Sequence, residues 1–156
     1  MATVEVTFTP LPAHVRTARL VATAVARRSG VDEALLDEVR LAVGEACSRA
    51  VEAHQRCCPA EPVRIEMTDA DERFVVVVSD HAPTAPAAPS RPSGGSGESV
   101  GRDGDAEASG GQDGGTAIPV GFGLAVISGL ADDVRVSSTS SGVSVRMSWP
   151  SAAAPA

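Results

Sequence analysis

One long stretch of the chain has almost nothing to bury, and it limits where a core can form. Residues 82–117 consist mainly of Pro, Ala, Ser, Gly, Asp and Glu. Such a composition cannot offset the conformational entropy lost on folding. We expect this stretch to be a disordered insertion within a single domain spanning residues 1–150, followed by a disordered tail at 151–156. The core must then come from the patterned segments on either side.

Those segments alternate between the periodicity of strands and that of helices. The pattern predicts a strand at 3–8, helices at 13–29 and 32–55, strands at 63–67 and 74–79, a helix at 124–130, and strands at 134–138 and 143–149. Because the strands pair mainly with sequence neighbours and every helix is available for one face, we predict an α/β two-layer sandwich with a mixed, mostly antiparallel sheet. The uninterrupted apolar run Phe74–Val78 predicts a central strand covered on both faces.

The composition excludes several classes of protein. The chain has no Lys, which excludes a P-loop and a Schiff-base enzyme, and it also has no Asn. A net charge of −7 without a basic stripe disfavours direct nucleic-acid binding. With three Phe, one Trp and no Tyr, the core must be largely aliphatic.

The three cysteines are odd in number, and two of them are adjacent. Since the amino terminus also lacks a secretory leader, we expect a reduced, cytoplasmic protein. No apolar run approaches the roughly 20 residues that span a bilayer, so no membrane segment is expected. His54 with Cys57 and Cys58 fits no standard zinc spacing, and a helix end with inert thiols is the favoured interpretation.

Three segments are expected to converge if this topology holds. The first is the helical run Leu41–Val51, which contains Glu45. The second is the end of a buried strand at Asp80, and the third is Gly121-Phe122-Gly123, just before a helix whose free N–H groups could face an anion. Taken singly, each has an ordinary structural explanation, and only their order and spacing together indicate a site.

These segments resemble the N, G1 and G2 boxes of the GHKL (Bergerat-fold) ATPases, and the small size is similar to the anti-sigma-factor serine kinases of bacterial partner-switching systems. The resemblance implies that Glu45 polarises the attacking hydroxyl and that Asp80 accepts a hydrogen bond from the adenine amino group. It also implies that Gly121, Gly123 and Leu124 lie near the phosphates of ATP or ADP, and that the insertion at 82–117 occupies the lid region of the family.

The chain departs from that family at two positions. Arg49 stands where the family has the Asn that ligates Mg²⁺, and a guanidinium has no acceptor with which to bind a metal. We therefore expect Mg²⁺ to bind weakly or not at all. Glu45 and Arg49 are spaced i and i+4, which predicts an ion pair between them, and Arg49 could alternatively contact a phosphate. Ala82 replaces the family glycine after Asp80, which weakens the adenine pocket.

The resemblance also implies partners. We expect an anti-sigma-factor-like protein that binds a sigma factor and, competitively, an anti-anti-sigma (STAS) protein, with weak or no kinase activity. Arg19 and Arg16 on the first helix would contribute to the shared surface, and the resembling proteins are commonly homodimers. Two alternatives stay open, namely an active ATP-dependent serine kinase and an interaction module that binds no nucleotide.

Overall fold

The computed structural model describes residues 2–83 and 122–152, without the side chains of 122–125. Most of the predicted insertion and the last four residues of the predicted tail lie outside these ranges. The elements are β1 (Ala2–Phe8), α1 (Pro12–Arg28), a 3₁₀ turn (Glu33–Leu35), α2 (Leu36–Cys57), β2 (Val63–Ala70), β3 (Arg73–Ser79), α3 (Phe122–Leu130), β4 (Asp133–Thr139) and β5 (Gly142–Pro150).

All eight predicted helices and strands are confirmed, with shifted ends. The second predicted helix begins with the 3₁₀ turn, and the side chain of Asp32 caps it by accepting a hydrogen bond from the amide of Ala34 at 2.8 Å. The third helix begins at Phe122, two residues before its predicted start. Within the described ranges, none of the helices has the length and apolarity that crossing a bilayer demands.

The five strands form one sheet in the order β1-β2-β3-β5-β4. Each strand pairing in the described part of the chain is antiparallel, so the α/β sandwich is confirmed but the sheet is not mixed. The buried core lies between one face of the sheet and the helices. The buried faces of α1 and α2 are rich in alanine, and these residues are Ala18, Ala22, Ala26, Ala42, Ala46 and Ala50.

The prediction that β3 is covered on both faces is wrong. Phe74, Val76 and Val78 are buried beneath the helices, whereas Val75 and Val77 alternate with them and are only half-buried. On the open face, neighbouring strands supply the partial cover, since Val75 lies opposite Ser148 and Val77 opposite Arg146. Valine favours a strand conformation whether its side chain is buried or half-exposed. A run of valines therefore does not indicate whether one face of the strand is covered or both.

The first residues of the predicted tail are held in place. The amide of Ser151 donates to the carbonyl of Glu72 at 2.9 Å, and the amide of Ala152 donates to the carbonyl of Gly30 at 2.9 Å. These bonds connect the chain after β5 to the β2–β3 turn and to the loop between the first two helices.

Gly142 begins β5 with a φ of +151°, at a point where the backbone following β3 passes very close. A Cβ at this position would overlap the carbonyl oxygen of Asp80 and lie 3.1 Å from the Cα of His81. Only glycine combines this φ with this approach.

We expect Gly142→Ala to destabilise the fold by about 2–4 kcal/mol, because it adds backbone strain and forces β5 away from the end of β3. Urea denaturation followed by circular dichroism measures the change. Gly129→Ala is the matched control, since a Cβ there meets no atom within 4 Å and alanine favours the helix by about 0.5–1 kcal/mol. Equal stability of the Gly142→Ala variant and the wild type would contradict the expectation.

Candidate functional site

An ion pair between α2 and the end of β3 forms the centre of the candidate site. Nη2 of Arg49 lies 2.5 Å from Oδ2 of Asp80. The Asp80 side chain is 0% exposed and that of Arg49 is 20% exposed. A carboxylate removed from water in this way requires a counter-charge and hydrogen-bond donors, and Arg49 provides both.

The other carboxylate oxygen of Asp80 is also engaged. Oδ1 accepts hydrogen bonds from the amide of Ala82 at 3.0 Å and from the amide of Val143 at 3.1 Å. The backbone of Asp80 adds a further link, because its own amide donates to the carbonyl of Val143 at 2.9 Å. Asp80 therefore holds together α2, the chain after β3 and the start of β5.

The predicted ion pair between Glu45 and Arg49 is wrong. Arg49 pairs with Asp80, and the half-buried Glu45 has no ion-pair partner among the described residues. The physical reason lies in burial. An unpaired buried carboxylate costs several kcal/mol, whereas a pair along a helix surface is worth only ~0.3–0.5 kcal/mol, so Asp80 outcompetes Glu45 for the guanidinium.

A small cavity of about 160 Å³ lies beside this ion pair. Its lining includes Arg49 and Asp80 together with Ala82 and Val143. Pockets that hold drug-sized ligands usually measure about 300–1,000 Å³, so the described lining encloses less than such a ligand needs. Nε of Arg49 is buried and has no hydrogen-bond partner within the described residues.

The third predicted part of the site is only partly described. Gly123 and Leu124 lie in the first turn of α3, so this glycine is inside the helix and does not precede it. Gly121 and the side chain of Leu124 lie outside the described part. Proximity of these residues to phosphates stays a prediction.

The predicted partner-binding arginines lie in a groove between α1 and α2 with a volume of about 320 Å³. Arg16 is exposed, and Arg19 is half-buried with its guanidinium packed over Gly44. A Cβ on Gly44 would lie 2.8 Å from Cζ of Arg19, so glycine makes room for this side chain. Nε of Arg19 is buried without a hydrogen-bond partner in the described chain. Nothing in the local sequence marks Gly44 for this role, because the arginine that it accommodates lies on another helix.

The cysteines differ in burial. Cys47 is a free, buried thiol, as expected, and burial raises its pKa to about 12 although the nearby Arg19 lowers it in part. The thiol is therefore neutral and unreactive at ordinary pH. Cys57 is exposed and Cys58 is half-buried, and their sulfurs are in contact at the end of α2. Free thiols at these two positions stay a prediction.

His54 is a residue whose role sequence reasoning missed. It is fully buried, its Nε2 accepts from the amide of His81 at 2.8 Å, and its Nδ1 lies 2.8 Å from the carbonyl of Glu61. Since Nε2 accepts, the proton resides on Nδ1, which donates to Glu61. The helical spacing from Val43 through Ala50 continues to position 54, and extending that buried stripe by one turn would have found it.

The family model of the histidine kinase-like ATPase domain matches residues 8–149. No curated protein matches the sequence. Among solved structures, the fold is similar to the crystal structure of the RsbU and RsbW domains of Rv1364c from Mycobacterium tuberculosis, with a TM-score of 0.63 and 14% sequence identity over 97% of this chain. The match covers 33% of that chain, and at this identity it establishes a shared fold alone.

We expect Arg49→Ala to destabilise the protein by about 2–4 kcal/mol, because it leaves the Asp80 carboxylate buried without its counter-charge. Chemical denaturation at neutral pH measures the loss. Arg40→Ala is the control on the same helix. It removes an exposed i,i+3 pair with Asp37 and should cost less than about 1 kcal/mol. Similar losses of unfolding free energy in the two variants would show that the Arg49–Asp80 pair stabilises the fold no more than an exposed ion pair does.

Proposed function

Because the chain belongs to the histidine kinase-like ATPase domain family, we propose that it is a member that regulates by binding proteins and has weak or no kinase activity. Its role would be that of an anti-sigma-factor-like protein in a bacterial partner-switching system. The partners would be a sigma factor and an anti-anti-sigma STAS protein that compete for one surface. The observation that carries this proposal is the buried ion pair between Arg49 and Asp80.

The residues present do not fit a magnesium ion. Hard divalent cations take oxygen ligands, and Arg49 offers only N–H donors at the position where the resemblance places the metal-binding Asn. Of the nearby carboxylates in the described residues, that of Asp80 is already paired with Arg49. Within the described residues, no group of three or more His, Cys, Asp or Glu side chains is arranged to hold a metal ion.

The described residues also fit adenine poorly. In the resembling enzymes the carboxylate of this aspartate receives the adenine amino group, but here a guanidinium already donates to Oδ2 and two amides donate to Oδ1. A nucleotide would have to displace Arg49 and leave its charge without a partner. In this proposal Arg49 therefore disfavours nucleotide occupancy as well as metal binding.

The groove between α1 and α2 is the proposed partner surface. Arg16 is exposed beside it, and the packing of Arg19 over Gly44 fixes the direction of a second positive charge. A charged, preorganised groove favours partners with complementary acidic groups. If two partners compete for this groove, the partner with the higher product of free concentration and association constant occupies most of it. Switching between partners would then follow from their concentrations.

One observation favours the alternative of an active serine kinase. Glu45 is not engaged by Arg49, so the carboxylate that the resemblance casts as the base is available to accept a proton. This alternative requires that ATP bind despite the Arg49–Asp80 pair and that phosphates and water alone hold the metal. Phosphoryl transfer depends on charge neutralisation, so such a kinase would be slow.

We expect ADP at millimolar concentration to shift the melting temperature of the wild-type protein by less than about 1 °C. A ligand at about 100 times its dissociation constant stabilises by about 2.7 kcal/mol, which would raise the melting temperature by several degrees. Arg49→Asn should gain such a shift because it frees Asp80. Arg40→Asn, on the exposed side of the same helix, should not. A clear ADP-dependent shift of the wild type would contradict the closed adenine site.

We expect Arg19→Ala to weaken binding of the cognate STAS protein about tenfold, a loss typical of removing one interfacial charge contact. Isothermal titration calorimetry measures the affinity, and Arg28→Ala, which removes an exposed arginine at the end of the same helix, is the matched control.

Intact mass of the STAS protein after incubation with Mg-ATP tests the alternative of an active kinase. Addition of one phosphate would show that the protein is an active kinase. In the binding experiment, unchanged affinity of both Arg19→Ala and Arg28→Ala for the STAS protein would show that the partner binds outside the α1–α2 groove.

A further inference from the structure

The open face of the sheet, which points away from the helices, carries an ordered pattern of charges. One row of residues crosses all five strands, and its members in strand order are Glu5, Glu66, Val77, Arg146 and Arg135. Residues opposite one another in antiparallel strands lie on the same face of a sheet. The row therefore has two carboxylates at one end, two guanidinium groups at the other and a valine in the middle.

Like charges directly opposite each other destabilise a sheet, and here each like-charged pair has one neighbour of the opposite sign. Arg64 lies 2.6 Å from Glu5 and 3.1 Å from Glu66. Asp133 lies 3.6 Å from one arginine of the row, Arg135, and 3.7 Å from the other. Each neighbour compensates one of two charges. The β1–β2 half of the open face thus keeps an excess negative charge, and the β5–β4 half keeps an excess positive charge.

Short side chains fill the middle of the open face, between the two charged halves. Val75 and Val77 on β3 are half-buried, and the positions that flank them on β2, β3 and β5 are serine or threonine, namely Thr68, Ser79, Ser144 and Ser148. Arg73, at the start of β3, is paired with Asp132 at 2.7 Å and adds no net charge. A second sheet could therefore approach this middle region to about 10 Å, the usual separation of packed sheets.

We propose that the open face binds the open face of a second copy of this chain, in a dimer whose twofold axis runs parallel to β3. In that arrangement β3 lies over β3 of the second copy, β2 over its β5 and β1 over its β4. Glu66 then faces Arg146 of the second copy, and the excess charges of the two halves compensate each other twice. This inference is independent of the proposed function, since it requires neither nucleotide nor a STAS protein.

The charges also select the orientation of the two sheets. A twofold axis perpendicular to the strands would place β1 over β1 and β2 over β2 of the second copy. Glu5 and Glu66 would then face the same carboxylates of the second copy, and the arginines of the row would face arginines. Like charges brought together at an interface oppose association, so the axis parallel to β3 is the arrangement that fits.

The open face is large enough for a specific interface. Each of the five strands is at least seven residues long. Strands lie about 4.8 Å apart and rise about 3.4 Å per residue, so the face measures about 24 Å by 24 Å. Two such faces would bury about 1,100 Å² in total, just above the roughly 1,000 Å² expected of a biological interface. Because the face is largely polar, we expect the dimer to dissociate in the micromolar range.

The test is sedimentation equilibrium of the full chain at about 1–200 μM, where we expect a reversible monomer–dimer equilibrium. Arg146→Glu and Glu66→Arg should each raise the dissociation constant at least about tenfold, because each places like charges across the interface. The double variant should return to within about threefold of the wild type, since the reversed charges face each other again. Arg28→Glu, which reverses an exposed charge at the end of α1, is the matched control and should leave the constant unchanged.

The single variants are expected to fold. Each of them replaces a like-charged pair of cross-strand neighbours by a pair of opposite charge, either at Glu5 and Glu66 or at Arg135 and Arg146. Circular dichroism and the melting temperature of the monomer check this, so a loss of dimer can be separated from a loss of fold.

Three results would overturn the inference. The first is a protein that stays monomeric at about 200 μM, because an interface of this size should associate at that concentration. The second is a dimer that both single variants leave unchanged, because it would then form through another surface, such as the exposed edge of β1. The third is a double variant that dissociates as readily as the single variants, because Glu66 and Arg146 would then not face each other.

Discussion

The carboxylate of Asp80 is fully buried, and the arrangement of the site follows from the need to compensate its charge. Two backbone amides and one guanidinium provide that compensation, and they come from three separate parts of the chain. A buried charge tolerates few alternative arrangements, because each missing donor costs more than a surface contact can return. Arg49 therefore pairs with Asp80 and not with Glu45, and a contact between Arg49 and a phosphate stays a prediction.

Most of the fold could be predicted from the sequence because its helices and strands follow from the local spacing of apolar residues. The alternation of Val4, Val6 and Phe8 and the helical spacing from Leu36 to Ala50 depend only on neighbouring residues. The ends of elements were less accurate, as the start of α3 shows. The coverage of β3 was not predictable from its own residues, since valine suits a strand whether one face or both are covered.

The site was harder to predict because its contacts join residues far apart in sequence. The i,i+4 rule placed Glu45 and Arg49 on one side of α2, but it could not compare that pairing with one to a buried carboxylate 31 residues away. His54 and Gly142 were missed for the same reason. Each is ordinary in its local context, and each is required only where β3, β5 and the end of α2 meet.

The pairing of β3 with β5 extends from Arg73 opposite Pro150 to Ser79 opposite Ser144, and Asp80 bonds to Val143 just beyond it. These two strands are adjacent in the sheet although they lie on opposite sides of the stretch that lacks core-forming residues. All the paired residues of the two strands lie outside that stretch. We expect a chain cut once between residues 84 and 121 to keep the β3–β5 ladder, with its two fragments associating as a complementing pair.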